Sequence, residues 1–213
     1  MWLDPLCSTD AVFSESSRRR IMLSASFLEA IELIKNGKIG VLPTDTIYGL
    51  VGSALSPRVV ERIYAVRKRS GNKPFIVLIS SINDLHLFGI VPDEKLRIFL
   101  EKNWPGKVSI IIGGVDEKYK YLHRGEGSIA FRLPDKKELL DLISQTGPLV
   151  APSANHEGET PAKTIAEAKN YFGGAVDFYI DGGTLEDEPS TLVKYDHGEF
   201  VILRKGAVKL SDI

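Results

Sequence analysis

The chain has 213 residues, 43% apolar and 26% charged, with 27 Lys and Arg against 28 Asp and Glu and a formal net charge of −1. That length suits one well-buried domain, and that balance excludes a dedicated nucleic-acid coat or polybasic membrane binder while leaving room for a local basic groove. No apolar stretch approaches the ~20 residues that cross a bilayer, Cys7 is the single cysteine, and His86, His123, His156 and His197 lack metal-ligand spacing, so neither a disulfide nor a structural zinc site is expected.

Residues 1–23 read as an N-terminal extension without a secretory apolar core. Arg18-Arg19-Arg20 faintly suggests a transit peptide, but Asp4, Asp10 and Glu15 argue against one. A loosely attached extension and a cytoplasmic location are the expectation. One domain over residues 24–208 and a short tail over 209–213 follow, with no internal repeat or low-complexity linker.

Ser24 or Ser26 caps a predicted helix over 27–36, with Phe27, Ile31 and Ile34 on one face and Gly37 as the stop. Residues 39–42 read as a buried strand ending at Pro43. Ser56-Pro57 is a cap with proline in the first turn. It opens a helix carrying Val59, Val60, Ile63 and Val66, which runs into a basic segment at 67–73. A strand over 75–80 precedes short helices at 82–88 and 93–102, ended by Trp104-Pro105-Gly106. Strands are predicted at 107–113 and 128–133. Asp135 starts a helix with Leu139, Leu140 and Ile143 at helical spacing. A short strand over 149–151 leads into Pro152-Ser153-Ala154-Asn155. Thr164 caps a helix to about 172, and strands at 176–180, 190–195 and 199–204 close the pattern. Alternating elements early and clustered strands late predict an α/β sandwich around a mixed, twisted sheet.

Three segments carry most of the chemistry: Pro43-Thr44-Asp45-Thr46-Ile47-Tyr48-Gly49-Leu50, Arg67-Lys68-Arg69-Ser70-Gly71-Asn72-Lys73-Pro74, and Ala151-Pro152-Ser153-Ala154-Asn155. Each places hydroxyl, cation or amide groups in a loop beside an apolar strand, where an α/β sheet holds ligands. Hydroxyls such as Thr44 and Thr46 donate to carboxylate or phosphate, although an ordinary turn uses them too. Arg67, Arg69 and Lys73 lie where a helix end favours cations in any case. Asn72-Lys73-Pro74, bending into a buried strand, points these cations in a fixed direction. Arg132 ends an apolar strand, where its charge meets either a structural carboxylate or a ligand. Pro189-Ser190-Thr191 and Arg204-Lys205-Gly206 repeat the theme. Two nucleotide motifs fail: residues 125–130 match a dinucleotide fingerprint but lead into β-like sequence, and 158–164 lack the glycine before lysine of a phosphate-cradling loop. The set implies a pocket for a polyanion beside a small polar molecule.

In this order, these blocks and the tryptophan–proline–glycine turn resemble the YrdC-like family of threonylcarbamoyl-AMP synthases over about residues 24–208. The resemblance implies a YrdC-like twisted mixed-sheet α/β sandwich with a basic concave cavity. It implies an enzyme, a nucleotidyltransferase that joins L-threonine, bicarbonate (or CO2) and ATP into threonylcarbamoyl-AMP with release of pyrophosphate. That product serves threonylcarbamoyladenosine modification of tRNA. By motif, Arg67, Arg69 and Lys73 carry the catalytic role, and Arg69, Lys73, Ser128, Ser153, Asn155 and Arg204 contact ATP. Thr44, Thr46, Arg132 and Ser190 contact threonine. Arg67 departs from the lysine expected at the first basic position. Mg2+ is implied with ATP, a threonylcarbamoyl transferase complex is implied downstream, and weak binding of tRNA or double-stranded RNA is compatible. The chain is similar to the short, single-domain form of the family. One rival reading is a non-catalytic RNA-binding module, against which stand the near-zero net charge and the lack of interleaved aromatics. A second is a carbamoyl-transfer domain as used in hydrogenase maturation, which usually sits beside cysteine-rich zinc modules, whereas this chain has one cysteine.

Overall fold

The computed structural model describes residues 23–210 apart from Ser70 and Asn72, so the expected extension lies outside the described residues except for Leu23. The end of the 209–213 tail lies outside them as well. Sixteen strands and α-helices follow one another: β1 (Leu23–Ser24), α1 (Phe27–Lys35), β2 (Gly40–Pro43), β3 (Tyr48–Ser53), α2 (Pro57–Arg67), β4 (Ile76–Leu78), α3 (Glu94–Asn103), β5 (Val108–Gly113), α4 (Lys120–His123), β6 (Ser128–Arg132), α5 (Lys137–Thr146), β7 (Leu149–Val150), α6 (Ile165–Phe172), β8 (Phe178–Tyr179), β9 (Thr191–Asp196) and β10 (Glu199–Arg204). Short 3-10 helices at Ile82–Phe88, Glu117–Tyr119 and Gly173–Ala175 complete the described chain.

Local chemistry explains the helix ends. Ser26 caps α1 in a reciprocal box: its hydroxyl accepts from the Glu29 N–H at 3.3 Å, and the Glu29 carboxylate accepts from the Ser26 N–H at 2.7 Å. Pro57 sits in the first turn of α2, where its missing N–H costs nothing. The helix expected to start at Asp135 begins two residues later, at Lys137, without a side-chain cap. The Asp135 backbone N–H donates to the Asp45 carboxylate at 3.2 Å, and Lys136 takes the cap position.

The strands form one mixed sheet in the order β1-β8-β2-β3-β7-β4-β6-β5-β9-β10. Pairs β1/β8, β2/β8, β4/β6 and β5/β9 are parallel, and the others are antiparallel. Two strands exceed the sequence reading. Leu23–Ser24 adds an edge beside β8, and residues 48–53, read as part of a loop, form β3 in a hairpin with β2.

Alternation along each strand sends neighbouring side chains to opposite faces. On one face Val41, Leu50, Val77, Ile110, Phe131 and Val193 pack with Val60 and Ile63 of α2, Leu96 and Leu100 of α3, and Phe172 of α6. Each such side chain contributes roughly 1.5–3 kcal/mol on burial. On the other face α1 and α5 cover Leu42, Val51, Leu78 and Leu149 through Ile31, Ile34, Leu139, Leu142 and Ile143. That cover stops near β4. Beyond it Ile76, Ala130, Ile111 and Leu192, which share the face by register, line an open concavity. The sandwich therefore has one closed face and one half-open face, and the half-open face holds the polar residues singled out above. No helix among the described residues is long and apolar enough to cross a membrane.

Candidate active site

Strand alternation on β6 sets the floor. Ile129 and Phe131 turn into the core, while Ser128, Ala130 and Arg132 turn toward the open side. Two cavities adjoin there. The larger, about 570 Å³, is lined by Arg67, Arg69, Lys73, Ser128, Ser153 and Arg204 over an apolar base that includes Phe75, Ile76, Ala130, Ile111 and Leu192. The smaller, about 280 Å³, is lined by Thr44, Thr46, Arg132, Asn155 and Ser190. Ile76, Ser153 and Arg204 belong to both. All eleven residues singled out in the sequence thus meet at one place. They separate into a cationic group and a hydroxyl-and-guanidinium group.

The smaller cavity is built at the β2–β3 turn. The Thr44 hydroxyl donates to the Ile47 carbonyl at 2.7 Å, and the Thr46 N–H donates to Thr44 Oγ1 at 3.1 Å. The turn and the ligand-facing wall are therefore the same structure. Arg132 Nη1 donates to Thr46 Oγ1 at 3.1 Å, and its Nη2 stands 3.1 Å from Asp45 Oδ1. Burial lowers the Arg132 pKa from its usual value and neighbouring Arg204 adds to this, while Asp45 opposes them. The carboxylate and the ligand cavity, alternatives in the sequence, both meet this one side chain. Backbone pairing carries the third segment alongside: Leu50 N–H donates to Pro152 O and Ala154 N–H to Tyr48 O, both at 2.9 Å.

Arg67 has a different place from Arg69 and Lys73. It is buried, donating from Nε to the Asn155 carbonyl at 2.9 Å and from Nη2 to Asn155 Oδ1 at 3.1 Å and Ser153 Oγ at 3.3 Å. Burial, with Arg69 nearby, lowers its pKa to about 10, which still leaves it charged at neutral pH. It braces the 153–155 loop. Asn155, expected among the nucleotide contacts, lines the smaller cavity, and its amide nitrogen donates to the His156 and Glu159 carbonyls at 2.7 and 2.8 Å. Arg69 lies 5.2 Å from the Phe75 ring centroid, and Phe75 stacks on Tyr64 at 4.0 Å. The Tyr64 hydroxyl also donates to the Lys73 carbonyl at 2.8 Å. The Lys73 backbone and the Arg69 side chain are thereby tied to the same aromatic pair. The Lys73 side chain itself is 69% exposed, with Nζ 3.8 Å from Glu157. Direction is imposed on Arg69 but much less on Lys73.

Arg204 closes the boundary between the cavities, donating from Nη2 to the Ser190 carbonyl at 2.8 Å. Burial lowers its pKa below the usual arginine value. Among the described residues no three His, Cys, Asp or Glu side chains cluster as metal ligands. The carboxylates at the rims, Glu126 and Glu159, belong to different cavities. A resident metal cage does not fit this donor set, which is suited instead to anions.

A family model described as telomere recombination, covering Sua5, YciO and YrdC, matches residues 32–206. The chain belongs to this family. It is 29% identical over 196 residues to a Pyrococcus abyssi threonylcarbamoyl-AMP synthase, covering 91% of this chain and 56% of that protein. It is 28% identical over 204 residues to a Methanocaldococcus jannaschii relative named "Putative threonylcarbamoyl-AMP synthase", covering 94% of this chain and 92% of that protein. The crystal structure of P. abyssi Sua5 complexed with L-threonine superposes with a TM-score of 0.77 at 28% identity over 84% of this chain and 54% of that one. The chain therefore spans about half the length of the P. abyssi protein and nearly all of the M. jannaschii one.

In this Sua5/YciO/YrdC-family chain several polar residues at or beside the site escaped the sequence reading, the rim carboxylates Glu126 and Glu159 among them. Asp45 lay inside a quoted motif but drew no role, although an acid between two threonines signals a partner for a buried cation. Lys194, on the open face of β9, lines the larger cavity. Ser109 interrupts the apolar run 108–112 with a hydroxyl, and that interruption was the available signal.

Proposed function

We propose that this chain condenses L-threonine, bicarbonate or CO2 and ATP into threonylcarbamoyl-AMP, releasing pyrophosphate. The observation that carries the reading is the pair of adjoining cavities, one cationic and one hydroxyl-lined, sharing Ser153 and Arg204. Such a pair suits a triphosphate held against an amino acid. The naming of the relatives and the threonine complex of P. abyssi Sua5 support it.

In this reading Arg69, Lys73 and Ser128 receive the phosphates, and Arg204 lies where the two substrates meet. Arginine suits phosphate because its planar fork makes two parallel hydrogen bonds. Arg132 and Ser190 hold the threonine carboxylate, with Thr46 fixed behind them. The threonine amine adds to CO2 and loses a proton to give a carbamate anion. A carbamate oxygen then forms a bond to the α-phosphorus as the bond to pyrophosphate breaks. The nucleophile is already anionic, so the protein positions reactants and neutralises phosphate charge. Mg2+ enters as part of the nucleotide substrate, since the cavity supplies no cage for it. The product is a mixed anhydride that water destroys, which favours prompt transfer to the tRNA-modifying transferase.

The test is pyrophosphate release from ATP with threonine and bicarbonate each present or omitted. Release that requires all three is expected, and release indifferent to threonine would overturn the proposal. Arg69→Ala and Lys73→Ala are each expected to lower turnover at least about tenfold through lost charge-assisted contacts to phosphate. Near-normal rates in both variants would remove the phosphate role assigned to the loop.

A further inference from the structure

Ser109 is the second residue of β5, between Val108 and the run Ile110, Ile111 and Ile112. It is fully buried. By strand alternation it shares the open face with Ile111, and its register neighbour on β9 is Leu192, both of which line the larger cavity. Yet Ser109 lines neither cavity, because Ser190 lies over it. The two hydroxyl oxygens are 2.8 Å apart.

The direction of that bond follows from counting protons. A serine hydroxyl has one proton to give and two lone pairs to receive with. Among the described residues Ser190 is the single hydrogen-bond partner of the Ser109 side chain. If Ser190 donated to Ser109, the Ser109 proton would be stranded in an aliphatic strand, which carries the full desolvation penalty of an unmet donor. Ser109 therefore donates. Ser190 Oγ accepts that proton and has Arg204 Nη2 at 3.5 Å, a long and weak second donor. Among the described residues its own proton has no other acceptor. Ser190 lines the smaller cavity, with Arg132 and Arg204 beside it. The proton faces the ligand.

We propose that Ser109 is a positioning residue for the smaller cavity: by donating to Ser190 from below, it fixes the Ser190 hydroxyl as a hydrogen-bond donor to an oxyanion of the bound amino acid. This rests on the reading of that cavity as the threonine pocket. The oxyanion is the carboxylate or, after CO2 addition, the carbamate. Without Ser109 the Ser190 hydroxyl rotates and presents a lone pair to the anion in part of the population.

Calorimetric titration of the full chain with L-threonine and, separately, with AMP tests this. Ser109→Ala is expected to raise the threonine Kd roughly tenfold, as suits one hydrogen bond to a charged group, with AMP affinity within about twofold of the parent. Ser109→Thr keeps the hydroxyl and is expected to restore threonine binding to within about threefold. Parent-like threonine affinity in Ser109→Ala would overturn the inference, as would equal weakening of both ligands. Should the alanine variant fail to fold, Ser109→Val, which has no donor and matches the shape of the threonine variant, takes its place with the same expectations. A parent protein that binds AMP but no threonine would overturn the pocket assignment itself, a result distinct from a silent Ser109→Ala.

Discussion

The Arg132 side chain is 6% exposed and that of Asp45 2%, so each charge relies on the other and on one further hydrogen bond, from Arg132 to Thr46 and to Asp45 from the Asp135 N–H. Removing one member of such a pair costs more than the pair gains over an apolar substitute, because the remaining ion is left in a poor solvent. Asp45→Ala is expected to destabilise by roughly 3–5 kcal/mol, read as a fall in the urea midpoint. A midpoint equal to the parent would mean that Thr46 alone satisfies the guanidinium. The sequence showed Arg132 as an anomalous charge at a strand end, but not Asp45 as its partner, because the two are 87 positions apart and nothing local links them. His156 shows the same limit. It lies edge-on to Tyr171 and Phe172, with ring centroids at 5.4 and 5.6 Å, and burial, with Lys68 adding, lowers its pKa from 6.5. The unfolded chain takes up this proton first as pH falls. The contribution is thus complete above the unfolded value of about 6.5 and declines below it until the lower folded value is reached. Denaturation at pH 7.5 and 5.5 should show a loss in the parent that is smaller in His156→Phe. An identical loss in both would assign the effect to other groups.

Most elements were legible because their ends are written in local chemistry. The Ser26 and Thr164 side chains cap α1 and α6 as the sequence indicated, and Pro57 opens α2. β3 was missed for a reason of packing. Its Gly49 and Gly52 weaken any strand pattern, but a Cβ on Gly52 would stand 2.5 Å from Val59, so α2 packs directly on the strand backbone. Register and long-range pairing supply what propensity withholds there. The turn after β10 shows the same device at the site. Thr191 Oγ1 donates to the Val208 carbonyl and accepts from the Gly206 and Val208 N–H groups, folding the chain over Ser190. A Cβ on Gly206 would fall 2.2 Å from the Pro189 carbonyl oxygen. Gly206→Ala is therefore expected to cost about 1–3 kcal/mol by overpacking and to weaken threonine binding by shifting Ser190 and Arg204. An unfolding midpoint and a threonine Kd both unchanged would show that the turn adapts freely.

At the scale of the whole molecule, the half-covered sheet face was beyond the sequence, since apolar residues such as Ile111 and Leu192 read the same whether a helix or a ligand covers them. The order of strands adds something else. β7 is two residues long, and it alone joins the β1-β8-β2-β3 portion of the sheet to the β4-β6-β5-β9-β10 portion. The smaller cavity straddles this joint, taking Thr44 and Thr46 from one side and Arg132 and Ser190 from the other. A short ladder is where a sheet opens most readily. In the proposed reading, threonine bound across it would act as a rivet, tying two plates that the backbone joins through β7. Amide exchange with saturating threonine and AMP is accordingly expected to slow most at Leu50, Ala151 and Ala154, whose N–H groups cross this joint. Equal slowing at the β5–β6 ladder would mean that occupancy tightens the molecule as one piece instead of fastening its halves together.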